Sequence, residues 1–420
     1  MADFSKLIEN KQESAQYMID EITHICKDMP KRSPGTEGEK ISCEYMADVL
    51  KNDCGCEVSQ VESFKENPGS FFGWIYITVT LALASIIAYF FVPVLSIIMI
   101  CFGLAVMLLE FGFYKKAVDF MFPELEGHNV TAFKKPTGEV TRRIIFNGHP
   151  DAAWNWPVNN RFGGKVYIAH ILTSVLGALY YLIISIITVI ILGVHNLPQA
   201  HAHLFDLGGV FWAGIAGLIF VPGLIGMYFM WDEKTIVDGA NDNLTGCYMG
   251  IAILKAMKDQ GIELEHTEIG VVLTGSEEAG LRGAKAWCEA HAGEFQDVPT
   301  YIYSYDTIHD GKFLMVNHRD LNGTVKSDRA VGDLFKESAD DLGIFCAEGM
   351  VPPFGGATDN AAFSQAGFRS TGITALNHEL EDYYHTLRDT YDNLGKDCLA
   401  DCYAVSVKVL EKFDEMDEIK

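Results

Sequence analysis

Three long stretches of this chain contain no charged side chain, and they limit the possible folds more than any other feature. They cover residues 71–109, 166–194 and 207–231, and Pro93 divides the first of them in two. A helix of about 20 apolar residues can cross the roughly 30 Å hydrocarbon core of a bilayer, whereas buried helices of soluble proteins rarely run so far without a charge. We therefore predict four membrane-spanning helices in two hairpins, at about residues 71–91, 94–113, 167–193 and 207–230.

The distribution of basic residues predicts how these helices are oriented. The connection between the hairpins, residues 115–165, contains eight lysines and arginines, whereas the hairpin tips at 91–93 and 195–205 contain none. The positive-inside rule then places both termini and all polar segments in the cytoplasm of a multi-pass membrane protein. Four histidines near the spans are expected to be ordinary interface or loop side chains: His170, His195, His201 and His203.

The composition excludes one class of partner and leaves metal ions possible. The chain has 56 Asp and Glu against 32 Lys and Arg, a formal net charge of −24. Nucleic-acid phosphates would be repelled by such a chain, but divalent cations would not. The first 20 residues show no secretory signal, and Cys54 and Cys56 lack a second pair at zinc-ribbon spacing. The ten cysteines are therefore expected to be free thiols in a reducing compartment.

Helical and strand patterns alternate through the polar remainder of the chain. Helices are predicted over residues 4–28 and 39–51, and from the loop at 238–246 as far as Lys258. Strands are predicted, in chain order, at 57–61, 129–133, 143–147, 268–274, 300–305, 313–316 and 372–376. Such alternation is typical of an α/β fold with a mixed, mainly parallel sheet that helices cover on both faces.

Side chains suited to metal binding follow several of these predicted strands. Four of them lie just past a strand end: His149, Glu277, Glu278 and Asp306. In a parallel sheet the carboxyl ends of the strands share one edge, where ligands bind, so distant parts of the chain converge there. Asp242 and His385, which lie in loops, join the same set. Imidazole and carboxylate ligands without thiolate are typical of a hydrolytic zinc site.

This set is large enough to hold two zinc ions. Two ions about 3.5 Å apart need a bridging carboxylate and terminal ligands, and five residues with one shared meet that need: His149, Asp242, Glu278, Asp306 and His385. Of the two adjacent glutamates, Glu278 is the predicted ligand and Glu277 the general base that faces the metal-bound water. Asp151 can accept the second imidazole N–H of His149. Other divalent ions, such as manganese or cobalt, remain possible.

At these residues the chain resembles peptidase family M28, the co-catalytic zinc aminopeptidases with glutamate carboxypeptidase and glutaminyl cyclase relatives. The similar segments are 34–39 (PGTEGE), 149–151 (HPD), 239–246 (GANDNLTG), 275–283 (GSEEAGLRG), Asp306 and 384–394 (YHTLRDTYDNL). The likeness extends over roughly residues 20–65, 128–155 and 235–415, which is nearly all of the polar chain. It implies a zinc aminopeptidase-like fold with two transmembrane hairpins inserted into it.

The resemblance also implies a role for each candidate ligand. His149 and Asp306 would hold one zinc ion. Glu278 and His385 would hold the other, and Asp242 would bridge the two.

The same resemblance bears on three further parts of the sequence. Tyr384 matches a tyrosine that hydrogen-bonds the tetrahedral intermediate in some relatives, and a plain packing role is the alternative. Asp238 is an acidic neighbour of Asp242, but only Asp242 has the matching place in the Gly-x-x-Asp-x-x-x-Gly frame. Residues 355–360 resemble a segment that lines the substrate cleft.

The chain departs from soluble members of that family at its two hairpins. One interrupts the chain between the strands at 57–61 and 129–133, and the other replaces a short loop between His149 and Asp242. We therefore predict one catalytic domain made of residues 1–65, 121–160 and 234–420, with transmembrane hairpins at 66–120 and 161–233.

The leading hypothesis is a membrane-embedded zinc aminopeptidase that removes amino-terminal residues from peptides. A dipeptidase or carboxypeptidase of family M20 or M42 is one alternative, although the segment from Asp306 to His385 is short for the lid domain usual in M20 enzymes. A non-catalytic membrane receptor or transport partner is the other, and the loss of a ligand or of the base would favour it. Neither a candidate ligand nor the candidate base is lost in this chain. The sequence does not indicate an oligomeric state.

Overall fold

The chain forms two compact units that alternate along the sequence. The computed structural model describes residues 3–192, 208–352, 355–377 and 383–416. The first unit, here called the polar unit, comprises Met1–Pro68, Pro123–Asn155 and Lys234–Lys420. The second, called the apolar unit, comprises Gly69–Phe122 and Trp156–Glu233. The predicted tip of the second hairpin, with His195, His201 and His203, lies outside the described residues.

The α-helices of the described segments are numbered in chain order. They are α1 Ser5–Glu9, α2 Lys11–Asp28, α3 Glu37–Asn52, α4 Ser70–Tyr89, α5 Pro93–Met107, α6 Pro157–Phe162, α7 Gly164–Leu192, α8 Gly209–Gly217, α9 Val221–Gly226, α10 Thr245–Gln260, α11 Arg282–His291, α12 Arg329–Asp341, α13 Asn360–Gln365 and α14 Lys396–Glu415.

The strands are numbered in the same way. They are β1 Val58–Glu66, β2 Leu125–Lys134, β3 Arg142–Gly148, β4 Trp154–Asn155, β5 Asp232–Ile236, β6 Thr267–Thr274, β7 Thr300–Ile308, β8 Met315–Asn317, β9 Arg319–Asp320, β10 Val325–Lys326, β11 Ala347–Gly349 and β12 Arg369–Ala375.

An eight-stranded mixed sheet forms the centre of the polar unit, in the order β1-β2-β6-β3-β7-β12-β8-β11. The four central strands β6, β3, β7 and β12 pair in parallel, as do β8 and β11. The pairs β1–β2, β2–β6 and β8–β12 are antiparallel. The predicted mixed, mainly parallel α/β fold is therefore confirmed.

Burial explains why the central strands have apolar sequences. Every residue of β6 is buried, as expected for a parallel strand that is covered on both faces. Helix α10 packs on β3 and β7, α3 packs on β1 and β2, and α12 packs on β12. Their buried side chains join those of the sheet in one hydrophobic core that includes Phe146, Tyr303, Met249, Leu50 and Phe335.

Several strands extend beyond the ranges that the sequence predicts, and β1 and β7 are two examples. The strand predicted to end at residue 61 continues to Glu66, because β1 pairs with β2 along its whole length, from Val58 opposite Phe133 to Glu66 opposite Leu125. The strand predicted to end at residue 305 continues to Ile308. Backbone pairing with a neighbouring strand, rather than an apolar pattern, extends these elements.

Four helices of the apolar unit are long and apolar enough to cross a membrane: Gly69–Tyr89, Pro93–Gly112, Gly164–Leu192 and Gly209–Phe229. Large apolar side chains such as Ile87, Ile190 and Ile219 are exposed. Polar groups face inward instead, where the Ser185 hydroxyl donates to Ser96 Oγ at 3.0 Å. Apolar side chains outside and paired polar side chains inside are typical of helices that pack within lipid.

Candidate metal centre

The candidate ligands meet at the carboxyl edge of the central strands. Strand β3 ends at Gly148, directly before His149, and β6 ends at Thr274, just before the turn that contains Glu277. Asp306 lies within β7, near its end, rather than just past the strand as predicted. Because β6, β3 and β7 are parallel neighbours, their carboxyl ends lie side by side at one edge of the sheet.

Two loops bring the other candidate ligands to this edge. Asp242 lies in the turn Ala240–Leu244, which leads into α10. His385 follows β12 and has a left-handed φ of +52°. A non-glycine residue rarely adopts this conformation, and such residues cluster at functional sites.

The carboxylate of Asp242 lies between two histidines. Its Oδ1 is 3.3 Å from His149 Nε2, and its Oδ2 is 3.1 Å from His385 Nε2. Asp242 thus belongs to two groups of possible ligands, one with His149 and Asp306 and one with Glu278 and His385. Within each group the ligand atoms lie within 4.8 Å of one another. A carboxylate shared between two such groups is what a pair of metal ions requires.

Glu277 and Glu278 are adjacent in sequence but make different contacts. Glu278 Oε1 is 3.2 Å from His385 Nε2, whereas Glu277 Oε2 is 3.8 Å from His149 Nε2. Both side chains are buried. The two glutamates therefore point to different histidines, and Glu277 can act on a molecule held between the two ligand groups.

The centre concentrates carboxyl groups away from water, and their pKa values respond to this burial. Burial raises the pKa of Asp306 to about 8, with the charge of Asp242 as the second cause. Burial also raises the pKa values of Glu277 and Glu278. Burial opposes the charged form of His385, but the surrounding carboxylates, Glu278 first, raise its pKa to about 10.

This charge distribution fits a site for cations. Burial favours the neutral form of Asp242, but hydrogen bonds with His149 and His385 outweigh it and lower the pKa of that carboxyl. Among the described residues, no lysine or arginine forms an ion pair with the four carboxylates of the centre. Buried carboxylates need a compensating charge, and divalent ions supply it. Imidazole and carboxylate donors together suit zinc.

Asp151 holds the turn that carries the two glutamates. Its Oδ1 accepts the Glu277 N–H at 3.1 Å, and its Oδ2 accepts the Glu278 N–H at 3.0 Å. Its Oδ1 also lies 3.3 Å from His149 Nδ1, on the side of the ring that the predicted contact requires. The role of Asp151 as an acceptor for two backbone N–H groups is one that the sequence did not reveal.

The fully buried guanidinium of Arg32 connects the two loops that flank the centre. Its Nε donates to Pro150 O at 2.7 Å, and its Nη2 donates to Asp238 O at 2.7 Å and Gly239 O at 3.1 Å. The carboxylate of Asp238 pairs with Lys31. Asp238 therefore stays out of the ligand groups, whereas Asp242 belongs to two of them.

The sequence of the polar unit matches one peptidase family. Residues 231–410, which include Asp242, Glu278, Asp306 and His385, match the model of peptidase family M28. We call this segment the M28 domain, after the family that it resembles. No curated protein sequence matches the chain significantly.

Solved structures with a similar fold include a zinc aminopeptidase and a glutaminyl cyclase. LapB from Legionella pneumophila has a TM-score of 0.55 at 11% identity, over 99% of this chain and 77% of that one. The zinc aminopeptidase BSAP from Bacillus subtilis has a TM-score of 0.55 at 12% identity, over 97% and 98%. Glutaminyl cyclase from Bacteroides thetaiotaomicron has a TM-score of 0.52 at 13% identity, over 95% and 96%. The polar unit thus has the zinc aminopeptidase fold.

Two positions of the M28 domain that were predicted from resemblance have packing contacts. The Tyr384 ring stacks on the His385 ring with centroids 4.1 Å apart. In the segment 355–360, Asp359 is buried and accepts a hydrogen bond from the Thr274 hydroxyl at 2.6 Å. Thr274 is the last residue of β6, so this segment lies against the strand that leads to Glu277.

One buried residue of the M28 domain that supports the shared ligand was not predicted. Asp389 Oδ1 accepts the N–H of Asn241 at 2.8 Å and its amide at 3.0 Å. Asp389 Oδ2 accepts the N–H of Asp242 at 3.2 Å. Burial raises the pKa of Asp389 to about 7. Its place in the same motif as His385 was the available sequence signal.

Proposed function

We propose that this protein is a membrane-embedded metallo-aminopeptidase with two zinc ions. His149, Asp306 and the shared Asp242 would hold one ion, and Glu278, His385 and Asp242 the other. The contact of the two Asp242 oxygens with two different histidines, at 3.3 Å and 3.1 Å, carries this proposal. A site for a single ion would give no reason for one carboxylate to face both.

The chemistry divides between the metal ions and the side chains. Bound zinc ions would lower the pKa of a shared water and polarise the scissile carbonyl. Glu277 takes the proton of the attacking water and passes it to the leaving amine. Asp151 fixes the Glu277 backbone, so that the carboxylate remains aimed at that water.

A peptide with a free amino terminus is the substrate that we propose. The fold neighbours named as aminopeptidases support this choice.

The proposal also places the enzyme in a membrane, with the four long apolar helices as spans. The catalytic domain would be formed by residues 1–65, 121–160 and 234–420, and the membrane hairpins by 66–120 and 161–233. The basic residues of 115–165 support a cytoplasmic location for the catalytic domain and both termini.

Substitution of the general base tests the proposed reaction. Glu277→Gln keeps the shape of the side chain but cannot take up a proton, so kcat should fall about 10²–10⁴-fold. Zinc content should stay at two ions per chain, because Glu277 is not a ligand. The measurements are metal analysis of the purified protein and hydrolysis of aminoacyl amides and peptides.

Glu289→Gln, at an exposed position of α11, is the matched control and should retain full activity. Near-normal turnover by Glu277→Gln would refute the role of Glu277. A wild-type preference for peptides with a blocked amino terminus and a free carboxyl terminus would indicate a carboxypeptidase instead. A protein that binds no zinc and cleaves no peptide would indicate a non-catalytic role.

A further inference from the structure

A second pair of buried carboxyl groups lies beside the turn that carries Glu277. Glu39 comes from α3 and Glu66 from the end of β1, and their exposed fractions are 0% and 3%. Both contact the hydroxyl of Ser276, the residue directly before Glu277. Ser276 Oγ lies 2.7 Å from Glu39 Oε1 and 2.5 Å from Glu66 Oε1.

The Ser276 hydroxyl has a single hydrogen, and this limits the charge that the two glutamates can carry together. A serine hydroxyl has one hydrogen to donate and can accept through its lone pairs. If both glutamates were ionised, one of the two short contacts would bring two acceptors together with no hydrogen between them. A neutral carboxyl removes the conflict, because its O–H donates to Ser276 Oγ while the serine donates to the other glutamate.

The surroundings of Glu66 also favour a neutral group. Its Oε2 has no hydrogen-bond partner within the described ranges. A Cβ added at Gly35 or Gly127 would lie 2.9 Å from Glu66 Oε1, so backbone encloses the carboxyl closely. A charged carboxylate with an unpaired buried oxygen is costly. Burial raises the pKa of Glu66 to about 9, with the charge of Glu39 as the second cause.

Several other ionisable groups surround the pair, from α3, β2, α11 and the loop after β3. The Asp151 carboxylate raises the pKa of Glu39, after burial as the main cause. Arg282 acts to lower the pKa of Glu66. His128 Nδ1 is 3.8 Å from Glu39 Oε2, and burial lowers the pKa of this imidazole. The thiol of Cys43 has a pKa raised by burial and then by Glu39.

We propose that Glu39 and Glu66 share one proton across Ser276 and act as positioning residues for Glu277. The singly protonated pair holds Ser276 from one side, while the Asp151 carboxyl oxygens accept the N–H groups of the following two residues from the other. Loss of the shared proton at alkaline pH would place a second negative charge beside Ser276 and loosen the turn. This inference rests on the proposed role of Glu277 as general base.

Infrared spectroscopy of the zinc-loaded full chain tests the shared proton without reference to activity. The difference spectrum between the wild type and Glu66→Gln at pH 7 should contain a neutral-carboxyl C=O band that only the wild type shows. A glutamine amide can donate to Ser276 Oγ, so the remaining Glu39 can ionise. Glu66→Leu, which also removes this carboxyl and leaves the serine hydrogen free to bond to Glu39, serves if Glu66→Gln does not fold. Glu57→Gln, at an exposed position paired with Lys134, should leave the band unchanged.

The pH dependence of hydrolysis tests the positioning role. The alkaline limit of kcat should move upward by about one pH unit or more in Glu66→Gln, because the neutral amide cannot lose the proton. At neutral pH, Glu66→Gln should lower kcat/KM about two-fold and Glu66→Leu, which cannot contact the hydroxyl, about ten-fold or more.

Two results would overturn the proposal: a difference spectrum without such a band, or a lost band with an unmoved alkaline limit. A wild type that hydrolyses no peptide would instead refute the proposed function. The infrared measurement would still decide whether the pair holds a proton, so the two failures are distinguishable.

Discussion

The orientation of a metal ligand depends on hydrogen bonds from residues outside the ligand set. Asp389 accepts hydrogen bonds from Asn241 and from the backbone N–H of Asp242. These bonds fix the segment that presents the Asp242 carboxylate to both histidines. Loss of an outer partner of this kind typically weakens metal binding about 10–100-fold.

Asp389→Asn should therefore weaken zinc binding while the ligands stay intact. An asparagine amide offers one acceptor oxygen, so the N–H of either Asn241 or Asp242 loses its partner. We expect about a 10–100-fold higher Kd for zinc, measured by competition with a chelator of known affinity. Asp392→Asn, an exposed change in the same loop, is the control. Equal zinc affinity in the two variants would contradict the supporting role of Asp389.

The residues of the centre differ in how visible they are in the sequence. Some candidate site residues belong to short motifs that occur in a distinctive order, and the sequence alone predicted a role for them. They are His149, Asp242 and the Glu277–Glu278 pair. Arg32 and Glu66 lie in segments with no such pattern. Their roles depend on contacts with the backbone of residues 150 and 239 and with the Ser276 hydroxyl, which no local pattern encodes.

Helix α10 follows the turn that contains Asp242, the proposed shared ligand, and packs on the sheet. The close packing of α10 on β3 and β6 depends on Gly250. A Cβ at Gly250 would lie 2.7 Å from Phe146 Cβ on β3 and 2.9 Å from Val271 Cγ2 on β6. Such distances require the helix or the strands to move. The close approach therefore limits how far α10, which follows the Asp242 turn, lies from β3, which ends directly before His149.

Gly250→Ala should destabilise the polar unit, although alanine is the better helix former. At an open helix position the change would stabilise by about 1 kcal/mol, but overpacking in a filled core costs about 1–3 kcal/mol. We expect a lower Tm in thermal unfolding of the detergent-solubilised protein. Gly293→Ala, whose Cβ would meet nothing within 4 Å, should leave the Tm nearly unchanged. A higher Tm for Gly250→Ala would contradict this prediction, because it would show that the neighbouring side chains can move to accommodate the added methyl group.

The two units of the molecule distribute their apolar and polar side chains in opposite ways. The polar unit buries its apolar side chains in a sheet core, whereas the apolar unit exposes many of them and pairs its polar groups internally. The chain passes between the units at the ends of the apolar stretches. In the proposed membrane protein, water around the polar unit and lipid around the apolar unit would account for these opposite patterns.

Cysteine labelling in intact cells tests the proposed topology. A Phe91→Cys variant, at the tip between α4 and α5, should react with a membrane-impermeant thiol reagent from outside. Glu139→Cys, at an exposed turn of the polar unit, should react only after permeabilisation. Both are made in a Cys101→Ser background, because Cys101 is the exposed native cysteine of the described chain.

The reverse labelling pattern would contradict the orientation drawn from the basic residues. Equal labelling of both positions in intact cells would contradict the membrane spans themselves. Recovery of the full chain in the soluble fraction without detergent would do so as well.

The sequence by itself determined the α/β class, the four long apolar helices and the order of the candidate ligands, because each of these depends on residue type and local spacing. Only the tertiary structure decided that Asp242 lies between two histidines, that β7 continues through Asp306, and that Glu39 and Glu66 meet at one hydroxyl. These features arise where segments distant in sequence come within a few ångströms. Such contacts depend on backbone pairing between strands and on the burial of charged groups. Local sequence patterns do not predict either of these.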